Sequence, residues 1–115
     1  MPSERVDELL DTLGDERSRA VLAAVNDEPR SAKELACALD ASLPTVYRRL
    51  DDLQDAGLIT AHTAVAADGN HYQRYSCTFE ELSVRLDDDS YVVEVEWRTD
   101  PAERFADLWD ALSDR

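Results

Sequence analysis

From Ser3 to Leu13 the apolar residues Val6, Leu9, Leu10 and Leu13 fall at i, i+3, i+4 and i+7, the spacing of one stripe on a helix. Gly14 ends that helix. A second runs from Asp15 to Val25 with Val21, Leu22 and Val25 inward, and Asn26-Asp-Glu-Pro29 stops it. Ser31-Ala-Lys-Glu34 has the spacing of a capping box and opens a short helix through Leu35 and Leu39. After the turn at Asp40-Ala41, Ser42 caps a further helix with Pro44 in its first turn, and the stripe Val46, Leu50, Leu53 runs on to Gly57. Two short helices joined by a short turn predict a helix-turn-helix unit.

Beyond Gly57 the periodicity changes. Leu58–Val65 and His71–Cys77 are β-prone and flank Asp68-Gly69, a hairpin signal. With these two residues as the turn, His62 would face Tyr75 and His71 would face Ala66. A second hairpin, Leu82 to Trp97 around Asp87-Asp-Asp-Ser90, pairs Leu86 with Tyr91, Val84 with Val93 and Leu82 with Val95, which makes one face apolar. Thr78-Phe-Glu-Glu81 could instead cap a helix. Asp100-Pro101 begins a final predicted helix with Phe105, Leu108, Trp109 and Leu112 in one stripe. The expected fold is α+β: three to four helices and a hairpin wing, with a second hairpin and a C-terminal helix after them. It forms one domain over residues 1–115, with residues 14–77 as helix-turn-helix and wing and residues 1–13 and 100–115 as flanking segments.

Charge sharpens this outline. The 115 residues carry 26 Asp and Glu against 12 Lys and Arg, a net charge of −14, and the single lysine is Lys33. Acid dispersed through segments that also hold periodic apolar residues is a halophile's composition, and not that of an acidic tail. Molar salt screens its repulsion within about 3 Å, and inorganic cations are expected on the acidic surface. Residues 30–49 are the exception: four basic against two acidic side chains. The start lacks a basic-then-apolar signal pattern and no apolar run is long enough to span a membrane, so a cytoplasmic protein is expected.

Ser31-Ala-Lys-Glu-Leu-Ala36, Ser42-Leu-Pro-Thr-Val-Tyr-Arg-Arg-Leu50 and Leu53-Gln-Asp-Ala-Gly-Leu-Ile59 together resemble the ArsR-like winged helix-turn-helix regulators, particularly those of haloarchaea. The resemblance runs from about Glu16 to Cys77. It implies sequence-specific binding of double-stranded DNA by a dimeric transcription regulator. The residues support this separately, because helical geometry sets Val46, Leu50 and Leu53 on one side and Pro44, Thr45, Arg48 and Asp52 on the other, with Arg48 central. A guanidinium can read guanine or hold phosphate, and small or apolar groups can meet thymine methyls. The candidate DNA contacts are therefore Lys33, Ser42, Leu43, Pro44, Thr45, Tyr47, Arg48 and Arg49, with His71 and Arg74 from the wing.

Other chemistry is thinly represented. The histidines fall at opposite ends of the expected ribbon, so no zinc site and no cofactor is expected. Cys37 lies in the helix where metal-sensing ArsR members carry a Cys-x-Cys pair, but the second cysteine is absent; Cys37 and Cys77 are small hydrophobes or redox thiols. No nucleophile elbow, phosphate loop or ligand cluster marks an enzyme. The stripes Val6, Leu9, Leu10, Leu13 and Phe105, Leu108, Trp109, Leu112 are the candidate homodimer interface. A winged helix used for protein contacts alone is the competing reading.

Overall fold

The computed structural model describes residues 3–98, and of Ser3 and Glu4 only the backbone. The predicted helix with Phe105, Leu108, Trp109 and Leu112 lies outside the described residues. Helices α1 (Ser3–Gly14), α2 (Glu16–Asp27), α3 (Ala32–Leu39) and α4 (Leu43–Asp55) precede strands β1 (Ile59–Val65), β2 (His71–Cys77), β3 (Phe79–Asp87) and β4 (Ser90–Trp97). This is an α+β winged helix-turn-helix with a second hairpin.

The caps at Ser31 and Ser42 are those the sequence predicts, and Asp15 adds a third. Asp15 opens α2 by accepting from the Ser18 amide, Ser31 and Glu34 form the capping box of α3, and Ser42 caps α4 by accepting from the Thr45 amide. Asp40 takes the left-handed conformation (φ 50°) that turns the chain from α3 into α4. Each helix then turns its stripe inward, and Val21, Val25, Leu35, Val46, Leu50, Leu53 and Leu58 form the centre of the core. Ala32, Ile59, Tyr75 and Cys77 close it from the α3 and wing sides.

The wing differs by one residue from the expected register. His62 faces Arg74 and His71 faces Val65, because the loop has three residues, 67–69, and not two. The Ala66 amide donates to the Asn70 carbonyl (2.8 Å), the Gly69 amide donates to the Ala66 carbonyl (2.9 Å), and Gly69 supplies the positive φ (87°) such a loop needs at its last position. The core selects this register: the pairs Ile59–Cys77 and Ala61–Tyr75 then share the inner face, and His62 goes outward with Arg74. A third piece of backbone joins this sheet, since Arg30 and Tyr75 exchange both amide bonds (3.0 and 2.8 Å). That bridge ties the start of α3 to the wing.

The second hairpin has the expected pairing, Leu82–Val95, Val84–Val93 and Leu86–Tyr91. Its first strand begins at Phe79, so Thr78-Phe-Glu-Glu81 is extended chain with a bulge and not a helix cap. Thr78 joins the two hairpins: its amide donates to the Leu58 carbonyl, its hydroxyl donates to the Gly57 carbonyl, and its own carbonyl accepts from the Arg98 amide. Arg98 also reaches back to the Asn26 side chain at the end of α2.

Candidate nucleic-acid interface

Burial of Val46, Leu50 and Leu53 decides what α4 presents outward: Leu43, Pro44, Tyr47 and Arg48 are exposed, with Ser42 and Thr45 at the helix start. The Ser42 and Thr45 hydroxyls are hydrogen-bonded to each other (2.9 Å), which fixes the first turn. Arg48 stands in the middle of this surface and makes no ion pair among the described residues.

A groove of about 470 Å³ runs beside α4, lined by Lys33 at the start of α3, Tyr47 of α4, and Asp68, Asn70, His71 and Tyr75 of the wing. Lys33 is exposed there, also without a carboxylate partner among the described residues. The groove floor is the Tyr75 phenol, whose pKa is raised chiefly by burial and further by Tyr47 and Asp51; it therefore stays a neutral hydroxyl, able to donate a hydrogen bond.

The expected contacts do not all gather on this surface. Arg49 turns the other way, its Nε 3.1 Å from Asp15 Oδ2 and its Nη1 3.6 Å from Asp52 Oδ2. The first contact is an ion pair without hydrogen-bond alignment, because the Nε is buried and unpaired as a donor. Arg49 thus ties α4 to the cap of α2. Arg30 is likewise engaged, donating to the Ala24 carbonyl and pairing with Asp27 and Glu28. Two of the four cations in residues 30–49 are therefore neutralised internally, leaving Lys33 and Arg48. His71 and Arg74 lie on opposite faces of the ribbon, since strand positions alternate; His71 lines the groove and Arg74 packs over the Tyr72 ring at 5.9 Å.

Arg17 was not visible as a candidate from the sequence. It lines a hollow of about 280 Å³ on the other flank of α4 together with Thr45, Arg49 and the apolar floor Val21 and Val46. Its only sequence signal is its place four residues before Val21, which sets it at the flank of the buried stripe and does not show that α4 approaches it. Cys37 is exposed and Cys77 is buried, its thiol donating to the Phe79 carbonyl. Among the described residues no group of His, Cys, Asp and Glu is placed to hold a metal ion, and no helix is long and apolar enough to cross a membrane.

The flanking stripe of α1 is shared between two environments. Val6 and Leu9 are only 4% exposed, in the chain's own core, because α1 packs on α2 and β4. Leu10 and Leu13 are half-buried at its edge.

The model of a helix-turn-helix domain family matches residues 13–62, from the end of α1 through α2, α3 and α4 into β1. No curated protein matches the chain.

Proposed function

We propose that residues 14–77 bind double-stranded DNA and that the protein is a transcription regulator of the ArsR-like type, working as a homodimer in the cytoplasm at high salt. The observation that carries the reading is the free state of Lys33 and Arg48. In a chain of net charge −14, Lys33 lining the groove and Arg48 exposed on the adjacent helix α4 have no carboxylate partner among the described residues, which favours phosphate or guanine as their ligand. In this reading the start of α4 enters the major groove, so that Arg48, Thr45, Leu43 and Tyr47 meet base edges. Ser42 and Pro44 hold the helix start, while Lys33, Arg17 and His71 meet the phosphates on either side. Arg49 and Arg74 support the interface from behind without touching DNA.

Dimer contacts come from the flanks, where Leu10 and Leu13 remain partly available and the 100–115 segment carries its own stripe. Two copies would read two half-sites. The acidic remainder holds cations, and the rungs of the second hairpin include Glu81 opposite Glu96, a like-charge pair that salt relieves.

The test is selection of binding duplexes from a random-sequence pool at molar KCl. Enrichment of a two-fold symmetric motif is the expected result. A folded protein that enriches no sequence, yet captures protein partners at the same salt, would favour the protein-contact reading instead.

A further inference from the structure

We propose that the apolar face of the β3–β4 hairpin is the seat of a second copy of this chain, filled by that copy's segment carrying Phe105, Leu108, Trp109 and Leu112. The inference rests on the homodimer reading and names the surfaces that make it.

The face is built from the rungs Leu82–Val95, Val84–Val93 and Leu86–Tyr91, with Trp97 in line at the end where β4 leaves the fold. Among the described residues only its inner part is covered: Val93 is buried and Leu82 and Val95 are partly so, against the core. In the single chain Val84 is 46%, Trp97 52%, Tyr91 57% and Leu86 63% exposed. No rung of this face holds a titratable group other than the tyrosine. The opposite face carries Glu81, Arg85, Glu94 and Glu96, with Arg85 drawn to Asp87 (3.4 Å) and Glu94 (3.7 Å).

That asymmetry selects the occupant. Two copies at −14 each repel wherever carboxylates would meet, so they close most easily over a surface free of them. The stripe at 105, 108, 109 and 112 is the apolar partner the chain itself supplies, spaced for one side of a helix. The uncovered part of the face is its outer end, Val84, Leu86 and Tyr91, with Trp97 exposed separately beyond the covered Val93 and Val95. A two-fold pair makes the contact twice, once in each direction.

The test mixes full-length chains in molar KCl and reads mass by sedimentation equilibrium, with circular dichroism as the folding control. The wild type is expected to be a dimer at micromolar concentration. Leu86→Asp and Trp109→Asp each break both contacts and should raise the dimer dissociation constant at least about tenfold. An equimolar mixture of the two variants should recover part of the dimer, because the intact stripe of the Leu86→Asp chain can still seat on the intact face of the Trp109→Asp chain. If an aspartate variant fails to fold, the milder pair Leu86→Ser and Leu112→Ser replaces it. Dimers that persist in both single variants overturn this interface and leave the homodimer reading standing. Monomeric variants with no recovery on mixing show that each stripe does not cross to the other copy, which also overturns it. A monomeric wild type overturns the homodimer reading as well as the interface.

Discussion

The helix-turn-helix body and the second hairpin handle the same kinds of residue in opposite ways. In the body, Val46, Leu50 and Leu53 turn fully inward and free cations stand outside. In the hairpin the apolar rungs run outward from the core, and the acid sits on the reverse face. The body buries its stripes within the single chain, and Lys33 and Arg48 stand exposed on its surface. Among the described residues nothing covers the hairpin's outer rungs, and two strands without a covering layer are marginal in water. On the proposed reading the first surface serves recognition and the second serves assembly.

Core truncation should sharpen this contrast most. Leu50→Ala is expected to cost about 2 to 5 kcal/mol of unfolding free energy, as a fully enclosed leucine leaves a cavity. Leu86→Ala in the same assay, at a concentration where the chain is monomeric, should change stability by less than about 0.5 kcal/mol. Chemical denaturation in molar KCl measures both, and equal losses would erase the distinction between the two regions.

Within the body, neighbouring arginines should separate by role. Arg48→Ala is expected to cost about 1 to 3 kcal/mol of specific DNA binding and leave the thermal midpoint in place. Arg49→Ala should instead lower the midpoint, since it removes the tie from α4 to Asp15 and Asp52.

Asp15 offers a smaller, pH-dependent effect. Its carboxyl is held below the ordinary range chiefly by the Ser18 amide hydrogen bond, and also by the Ser18 hydroxyl, Arg49 and Arg19, while partial burial opposes them. A depressed folded pKa contributes stability above the unfolded value, about 4, and that contribution is lost as pH falls through the folded value. Asp15→Ala should cost about 1 kcal/mol at neutral pH through loss of the cap. Asp15→Asn keeps a capping group, so its smaller deficit should shrink toward zero as pH drops below about 4, followed by denaturation at stepped pH.

Salt should have the shallowest effect. Binding that neutralises phosphates usually weakens steeply as salt rises. Here Asp51, Asp52 and Asp55 continue the helix that carries Arg48, and cations between these carboxylates and phosphate would be taken up on binding. Affinity is expected to stay flat or rise from moderate to molar KCl, and Asp51→Asn should restore a falling slope in the same titration.

Much of this was legible in the sequence because it is local. Caps such as Ser31 with Glu34, the stripe of α4 and the cross-strand pairs of the second hairpin follow from spacing alone. The wing register was not, since a two-residue and a three-residue loop around Asp68-Gly69 differ only in which residues reach the core, and the pairs Ile59–Cys77 and Ala61–Tyr75 decide that. The ion pairs of Arg49 were not legible either. At about 100° per residue it lies beside the core stripe and away from Arg48, and Asp15, the N-cap of α2 34 residues earlier, meets it there. Val6 and Leu9 belong to the core because α1 meets β4, a contact no local pattern encodes.

The claim that α4 and its groove form a DNA-reading surface is tested most directly by titrating wild type and Arg48→Ala against a duplex selected at molar KCl and a scrambled duplex of the same composition. A loss of roughly 5- to 150-fold on the selected duplex, with little change on the scrambled one, is the predicted result. Equal affinity of the two proteins for the selected duplex, with Arg48→Ala fully folded, would contradict it.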